Sequence, residues 1–124
     1  MADPFYARPI FCVADVSASV AYYRDRLGFE PGWAHPETAP IIAQVGRDGL
    51  DLILDSGSVI PRAAIPSVVS VSVGNVSALY GELEAAGARI TERPAPVHWQ
   101  PGLLQLVIED PDGNQLVFWG DAPK

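Results

Sequence analysis

The side chains suited to chemistry are few and scattered. His35 and His98 are the only two histidines. Metal sites and metalloprotease-type centres use such residues in sets, for instance at i and i+4 on one helix; neither histidine has a partner at that spacing, and both fall in loop-like stretches. Cys12 is the single cysteine, which excludes an intrachain disulfide and a multi-cysteine metal centre. With no histidine or other base near it in sequence, it reads as a small buried residue rather than a nucleophile. The three tryptophans, Trp33, Trp99 and Trp119, offer different chemistry: an indole face stacks on a planar ring or holds a cation above its π-system. Trp99 lies in Pro96-Val97-His98-Trp99-Gln100-Pro101-Gly102, a loop with a proline at each end and a glycine after it.

Charge narrows the partners. Eight basic against fifteen acidic residues give a net charge of −7, the wrong sign for gripping a phosphate backbone, so nucleic acid is excluded as an expected partner. An acidic surface keeps a protein in solution, and near a cleft it also concentrates a cationic small molecule. With 124 residues, 48% of them apolar, the chain is sized for one domain, 1–124, with a real core. No apolar run reaches the ~20 residues needed to cross a bilayer. Met1 to Arg8 lacks the basic flank and apolar stretch of a signal peptide. The expectation is a soluble, cytoplasmic protein with no membrane partner.

These residues must be held by regular elements. Pro9 to Val13 reads as a strand. Asp15 or Ser17 can then cap a helix whose Val16, Val20, Tyr23 and Leu27 form one apolar stripe, closed by Gly28. Phe29–Trp33, Ile41–Val45 and Leu50–Leu54 read as strands, the last two joined by the tight turn Asp48-Gly49. Ser56 to Pro66, with Gly57, Pro61 and Pro66, reads as a linker. The pattern then restarts: strand Val68–Val73, helix Val76–Ala86 closed by Gly87, and strands Ala88–Thr91, Leu103–Glu109 and Leu116–Trp119.

The restart is also a repeat of residues. Val13-Ala14-Asp15-Val16-Ser17-Ala18 returns as Val73-Gly74-Asn75-Val76-Ser77-Ala78, and Asp48-Gly49 returns as Asp112-Gly113 before the last strand. A repeat of this length carrying the same turn chemistry implies two copies of one supersecondary unit. The expected architecture is α+β: tandem βαβββ modules, about 8–55 and 67–119, joined by the linker 56–66 and covered by helices on one face of each sheet.

Three segments carry a specific resemblance: Val13-Ala14-Asp15-Val16; Ala21-Tyr22-Tyr23-Arg24-Asp25-Arg26-Leu27-Gly28-Phe29; and Glu109-Asp110-Pro111-Asp112-Gly113-Asn114. Over about residues 8–119 the chain resembles the vicinal oxygen chelate superfamily, which includes glyoxalase I, extradiol dioxygenases, and fosfomycin and bleomycin resistance proteins. The resemblance implies that each module bends into a half-open cup. In the family's enzymes, His, Gln or Glu side chains on the first and fourth strands of each module converge on a divalent ion that polarises neighbouring substrate oxygens. Carried over, those positions fall at Arg8, Asp51, Val68 and Val117. Only Asp51 can bind a metal, since arginine is a permanent cation and valine offers no donor atom. No metal and no cofactor is therefore expected, and no catalytic residue is assigned.

Strand parity then divides the side chains. Arg8, Ile10, Cys12, Asp51, Ile53, Asp55, Val68, Ser70, Ser72, Gln115, Val117 and Trp119 face the cup. Phe11, Val13, Leu50, Leu52, Leu54, Val69, Val71, Val73, Leu116 and Phe118 face the helices. The helix face is continuously apolar, whereas the cup face mixes apolar walls with a few polar groups, as binding pockets do. Arg8 and Asp51 either pair with each other in place of the metal or contact a ligand. The expected ligand-binding set is Arg8, Asp51, Ile53, Asp55, Ser70, Trp99, Val117 and Trp119, with Asp51 or Asp55 favouring a positive group. Bleomycin resistance proteins carry a Trp-Gly loop bordering the ligand groove at about the place of Trp99, and build their grooves between two subunits. The resemblance thus implies a homodimer that sequesters an aromatic, cationic antibiotic or metabolite. The alternative is a superfamily enzyme, a lyase, isomerase or dioxygenase, with an atypical or absent metal site.

Overall fold

The computed structural model describes residues 3–59 and 65–122; the middle of the expected linker lies outside them. The elements are β1 (Ile10–Cys12), α1 (Val16–Leu27), β2 (Glu30–His35), β3 (Ile42–Arg47), β4 (Leu50–Asp55), β5 (Val68–Ser72), α2 (Val76–Ala85), β6 (Arg89–Pro96), β7 (Leu103–Glu109) and β8 (Gln115–Asp121). They form two four-stranded sheets, ordered β1-β4-β3-β2 and β5-β8-β7-β6. In each, the first strand runs parallel to the fourth and the rest pair antiparallel. This is the tandem βαβββ arrangement, α+β, that the repeat implies.

Local chemistry explains both helices. The side chain of Asp15 accepts the N–H of Ala18 at 3.0 Å and that of Asn75 accepts the N–H of Ala78 at 2.9 Å, each satisfying a donor that the first helical turn leaves free. Of the two caps open for α1, Asp15 rather than Ser17 fills the position. Gly28 closes α1 at φ 73°, a backbone conformation that costs glycine nothing. The buried stripe of α1 is Val16, Ser19, Tyr23 and Leu27, with Val20 half-buried beside it.

The helix-facing sides of both sheets feed one core. Phe11, Val13, Leu52 and Leu54 from the first module join Leu106, Ile108, Leu116 and Phe118 from the second, with Tyr23, Leu27 and Leu83 between. Burying a leucine or phenylalanine side chain removes ~1.5–3 kcal/mol of unfavourable hydration each, so the parity of every strand is set by its apolar residues. The longest departure from the sequence expectation is β6, which continues past Thr91 to Pro96 with register shifts between Ile90 and Glu92 and between Glu92 and Ala95. Such bulges let an edge strand carry Pro94 without a ladder hydrogen bond.

A buried polar knot ties the modules together. Asp110, 1% exposed, accepts from the Tyr23 hydroxyl at 3.0 Å, from Asn114 Nδ2 at 3.0 Å, and from the N–H groups of Asp112 and Asn114 at 2.9 Å each. Asn114 Nδ2 also donates to the Cys12 carbonyl at 3.0 Å, and its Oδ1 accepts the Ser67 N–H at 2.9 Å. Tyr22 donates to the Glu109 carbonyl and accepts the Arg89 N–H, both at 2.9 Å. Burial pushes the Asp110 carboxyl up, against the pull of the Asn114, Tyr23 and Asp112 donors. Burial likewise holds the Tyr23 hydroxyl far above the ordinary tyrosine range, reinforced by the nearby Asp110 charge.

Candidate functional site

The sides of the sheets turned away from the helices carry the remaining polar and aromatic groups. On the first sheet, Gln44 Oε1 accepts from Arg8 Nη1 at 2.9 Å and from Trp33 Nε1 at 3.2 Å. Gln44 lies level with Ile53, and Ile53 with Ile10, so two isoleucines stand beside Gln44 across the sheet. On the second sheet, Trp119 Nε1 donates to Gln105 Oε1 at 2.8 Å, and Gln105 Nε2 donates to Glu92 Oε1 at 2.9 Å. Trp99 meets Trp119 edge to face, ring centroids 5.4 Å apart at 78°. Trp99 is 52% exposed. The hydrogen bonds of each cluster stay within its own sheet.

The expected residues land in different places. Trp99 and Trp119 come together; Val117 and the exposed Ser70 pair side by side in β8 and β5. Arg8 is exposed and binds Gln44 rather than Asp51, and no ion pair joins Arg8 to Asp51 among the described residues. The pairing of Arg8 with Asp51 is not formed; Gln44, on β3 beyond β4, is the neutral acceptor that serves both Arg8 and Trp33. Asp55 is fully buried, and its carboxylate accepts the N–H groups of Ser58 and Val59 at 2.9 Å each. Its parity is as expected, but it stands at the strand end where the chain folds back, and it holds that turn.

Asp51 stays partly open on the first sheet, level with Gly46 and the exposed Glu30. A β-carbon at Gly46 would lie 2.5 Å from Asp51 Oδ1, so the carboxylate rests over the glycine. Both line an open polar bowl of about 630 Å³ with Glu30, Gly32, Gln44 and Arg47. Trp33, Gln44, Gln105 and Glu92 were absent from the expected set. For the two glutamines the available signal was parity on β3 and β7, since each lies level with a residue already placed on the open face, Ile53 and Trp119.

Register also corrects one comparison between the modules. The Val13 N–H donates to the Asp55 carbonyl and the Val73 N–H to the Trp119 carbonyl, both at 2.9 Å. Asp55 therefore corresponds to Trp119, Ile53 to Val117, and Asp51 to Gln115. The two fourth-strand positions named as metal ligands, Asp51 and Val117, are not equivalents. Neither choice supplies a full donor set: Arg8 is a cation, Ile53, Val68 and Val117 are hydrocarbon, and Asp51 with Gln115 leaves two donors of the four positions. Among the described residues no three His, Cys, Asp or Glu gather closely enough to hold a metal ion. The divalent centre implied by the resemblance does not fit these residues.

Solved structures share this fold over nearly the whole chain. A bleomycin resistance determinant encoded on the transposon Tn5 superposes with TM-score 0.77 at 19% identity, covering 97% of this chain and 100% of its own. TioX from Micromonospora sp. ML1 gives 0.74 at 19%, covering 97% and 98%. A superfamily member from Sphaerobacter thermophilus DSM 20745 gives 0.74 at 22%, covering 95% and 98%. At these identities the likeness establishes the fold alone. No curated protein matches the chain. The family model for the Glyoxalase/Bleomycin resistance protein/Dioxygenase superfamily matches residues 6–118. On that match, with the paired modules behind it, the chain belongs to this superfamily.

Proposed function

We propose that this protein binds a planar aromatic molecule with a positive group and holds it unchanged, in the manner of a bleomycin resistance protein. The observation that carries this reading is the edge-to-face pair of Trp99 and Trp119 on an open sheet face. Trp119 donates to the Gln105 carboxamide oxygen, and the same carboxamide donates to the Glu92 carboxylate on its other side. An aromatic wall backed by a carboxylate recognises a flat cation through stacking and charge together. The donor set supports the same reading, since among the described residues no three His, Cys, Asp or Glu come together as the family's metal centres require.

A second copy of the chain completes the groove in this reading. Val68 at 65%, Trp99 at 52% and Trp33 at 44% exposure leave much apolar surface in water, and surfaces of that kind mark contact sites.

The test is a titration with acridine orange, a planar aromatic cation, read by tryptophan fluorescence, with the probe recovered and weighed by mass spectrometry. Trp99→Ala and Trp119→Ala are each expected to weaken binding about tenfold, the value of one aromatic contact. The recovered probe should be unaltered, and sedimentation should give a dimer. Wild-type affinity and quenching in both folded variants would make the tryptophans packing residues, and a chemically altered probe would favour the enzyme reading.

A further inference from the structure

The repeat makes two corners of the molecule equivalent, and only one of them is closed. Ile42 pairs with Asp55 and Gln105 with Trp119; since Asp55 corresponds to Trp119, Arg47 corresponds to Asp110 and Leu50 to Asn114. At the β1 corner the Asn114 carboxamide donates to the Cys12 carbonyl at 3.0 Å, and Asp112 Oδ1 accepts the Ala14 N–H at 2.9 Å. These side chains plug the space between strand end and helix start. At the β5 corner the turn is one residue shorter, with Asp48-Gly49 in place of Pro111-Asp112-Gly113. Leu50 stands where Asn114 would, and the Ser72 carbonyl and Gly74 N–H, the counterparts of Cys12 and Ala14, have no side-chain partner among the described residues.

What remains at the β5 corner is a cavity of about 420 Å³ whose walls include Leu50, Val71, Leu79 and Phe118, with Ser72 and Gly74 at its edge. That volume lies in the range of small-molecule sites, which are mostly apolar with a few placed polar groups. Arg47 spans the same cavity to Glu82, at 2.6 Å and 2.7 Å, and also bonds Asp48 at 3.1 Å. One cation shared by two carboxylates leaves the rim net acidic and its cation occupied, so a ligand anion has no free partner there.

We infer that this corner is a second binding site, for a neutral, largely apolar molecule bearing one primary carboxamide. That is the group with which the chain closes its own matching corner: its NH2 can donate to the Ser72 carbonyl and its oxygen can accept from Gly74. Neither Trp99 nor Trp119 lines this cavity, so the site stands apart from the aromatic face.

Benzamide is the probe, with benzoate and toluene as controls, added at millimolar concentration to the full chain while methyl and amide NMR resonances are followed. Benzamide should shift the Leu50, Val71 and Leu79 methyls and the Gly74 amide saturably. Benzoate and toluene should bind at least about tenfold more weakly, benzoate for its charge and toluene for its missing hydrogen bonds. Leu79→Trp fills the cavity, and Leu50→Asn supplies a carboxamide from the chain itself. Each should abolish the shifts in a variant whose amide spectrum is that of a folded protein, while Trp119→Ala retains them. Toluene binding as tightly as benzamide, shifts confined to the Trp99 and Trp119 face, or no shifts at all would overturn the inference.

Discussion

At the β1 corner the helix-facing residues Phe11 and Val13 are sealed, 0% and 2% exposed, whereas their counterparts at the β5 corner, Val71 and Val73, stay half-buried. The backbones of the two corners repeat; the side chains that close them do not. On α1, Tyr22 and Tyr23 reach the turn between β7 and β8. Their counterparts on α2 are Glu82 and Leu83, of which the half-exposed Glu82 meets Arg47 in an ion pair and Leu83 stays in the core. A buried network with every donor matched is lost as a unit, because each missing partner strands another polar group out of water. An ion pair at the surface is screened by water and holds little. One module therefore closes the fold, and the other is left open.

Removing the two closures should separate them sharply. Asp110→Ala strands the Tyr23 hydroxyl, the Asn114 amide and two backbone N–H groups, and is expected to cost about 3 kcal/mol or more in denaturant unfolding. Tyr23→Phe removes one donor from the same knot and should cost about 1–2 kcal/mol. Arg47→Ala should cost less than Asp110→Ala, about 1–2 kcal/mol, because the Glu82 end of its pair is half-exposed while the Leu27 carbonyl also loses a donor. Equal losses from Asp110→Ala and Arg47→Ala would abolish the distinction between the corners.

Alkaline pH sharpens the same comparison without a mutation. Tyr23 is fully buried and its folded-state ionisation is raised above the ordinary value of 10.0. A group whose folded pKa is raised contributes stability that is present in full below its unfolded pKa and is lost as pH rises beyond it. Stability should thus fall above about pH 10, and the Tyr23 phenolate absorbance should appear only with unfolding. Tyr23→Phe should flatten that fall; an unchanged slope would show that the knot does not govern it.

Much of this fold was legible locally. Asp15, Asn75, Gly28 and the alternation through Leu52 and Leu54 are signals that a few neighbouring residues carry whole, and parity sent Trp119 to the open face. The knot was not legible, because Tyr23 and Asp110 lie far apart in sequence and meet only when the modules pack. Asp55 shows the limit of parity: the period of two told which face it takes, but its partners come from the chain folding back after the strand. The Arg8 bond was not legible for a related reason: the resemblance brought Arg8 and Asp51 together, whereas the guanidinium meets Gln44, two strands away from β1.

We propose that the second sheet's open face, with Trp99 and Trp119, takes an aromatic cation without a metal. The direct measurement is an NMR titration of metal-stripped protein with acridine orange, following the indole N–H signals of the three tryptophans. The Trp99 and Trp119 signals should move together and saturate, with the same affinity before and after a divalent ion is added. Indole signals that stay fixed, or that move only once the ion is present, would contradict it.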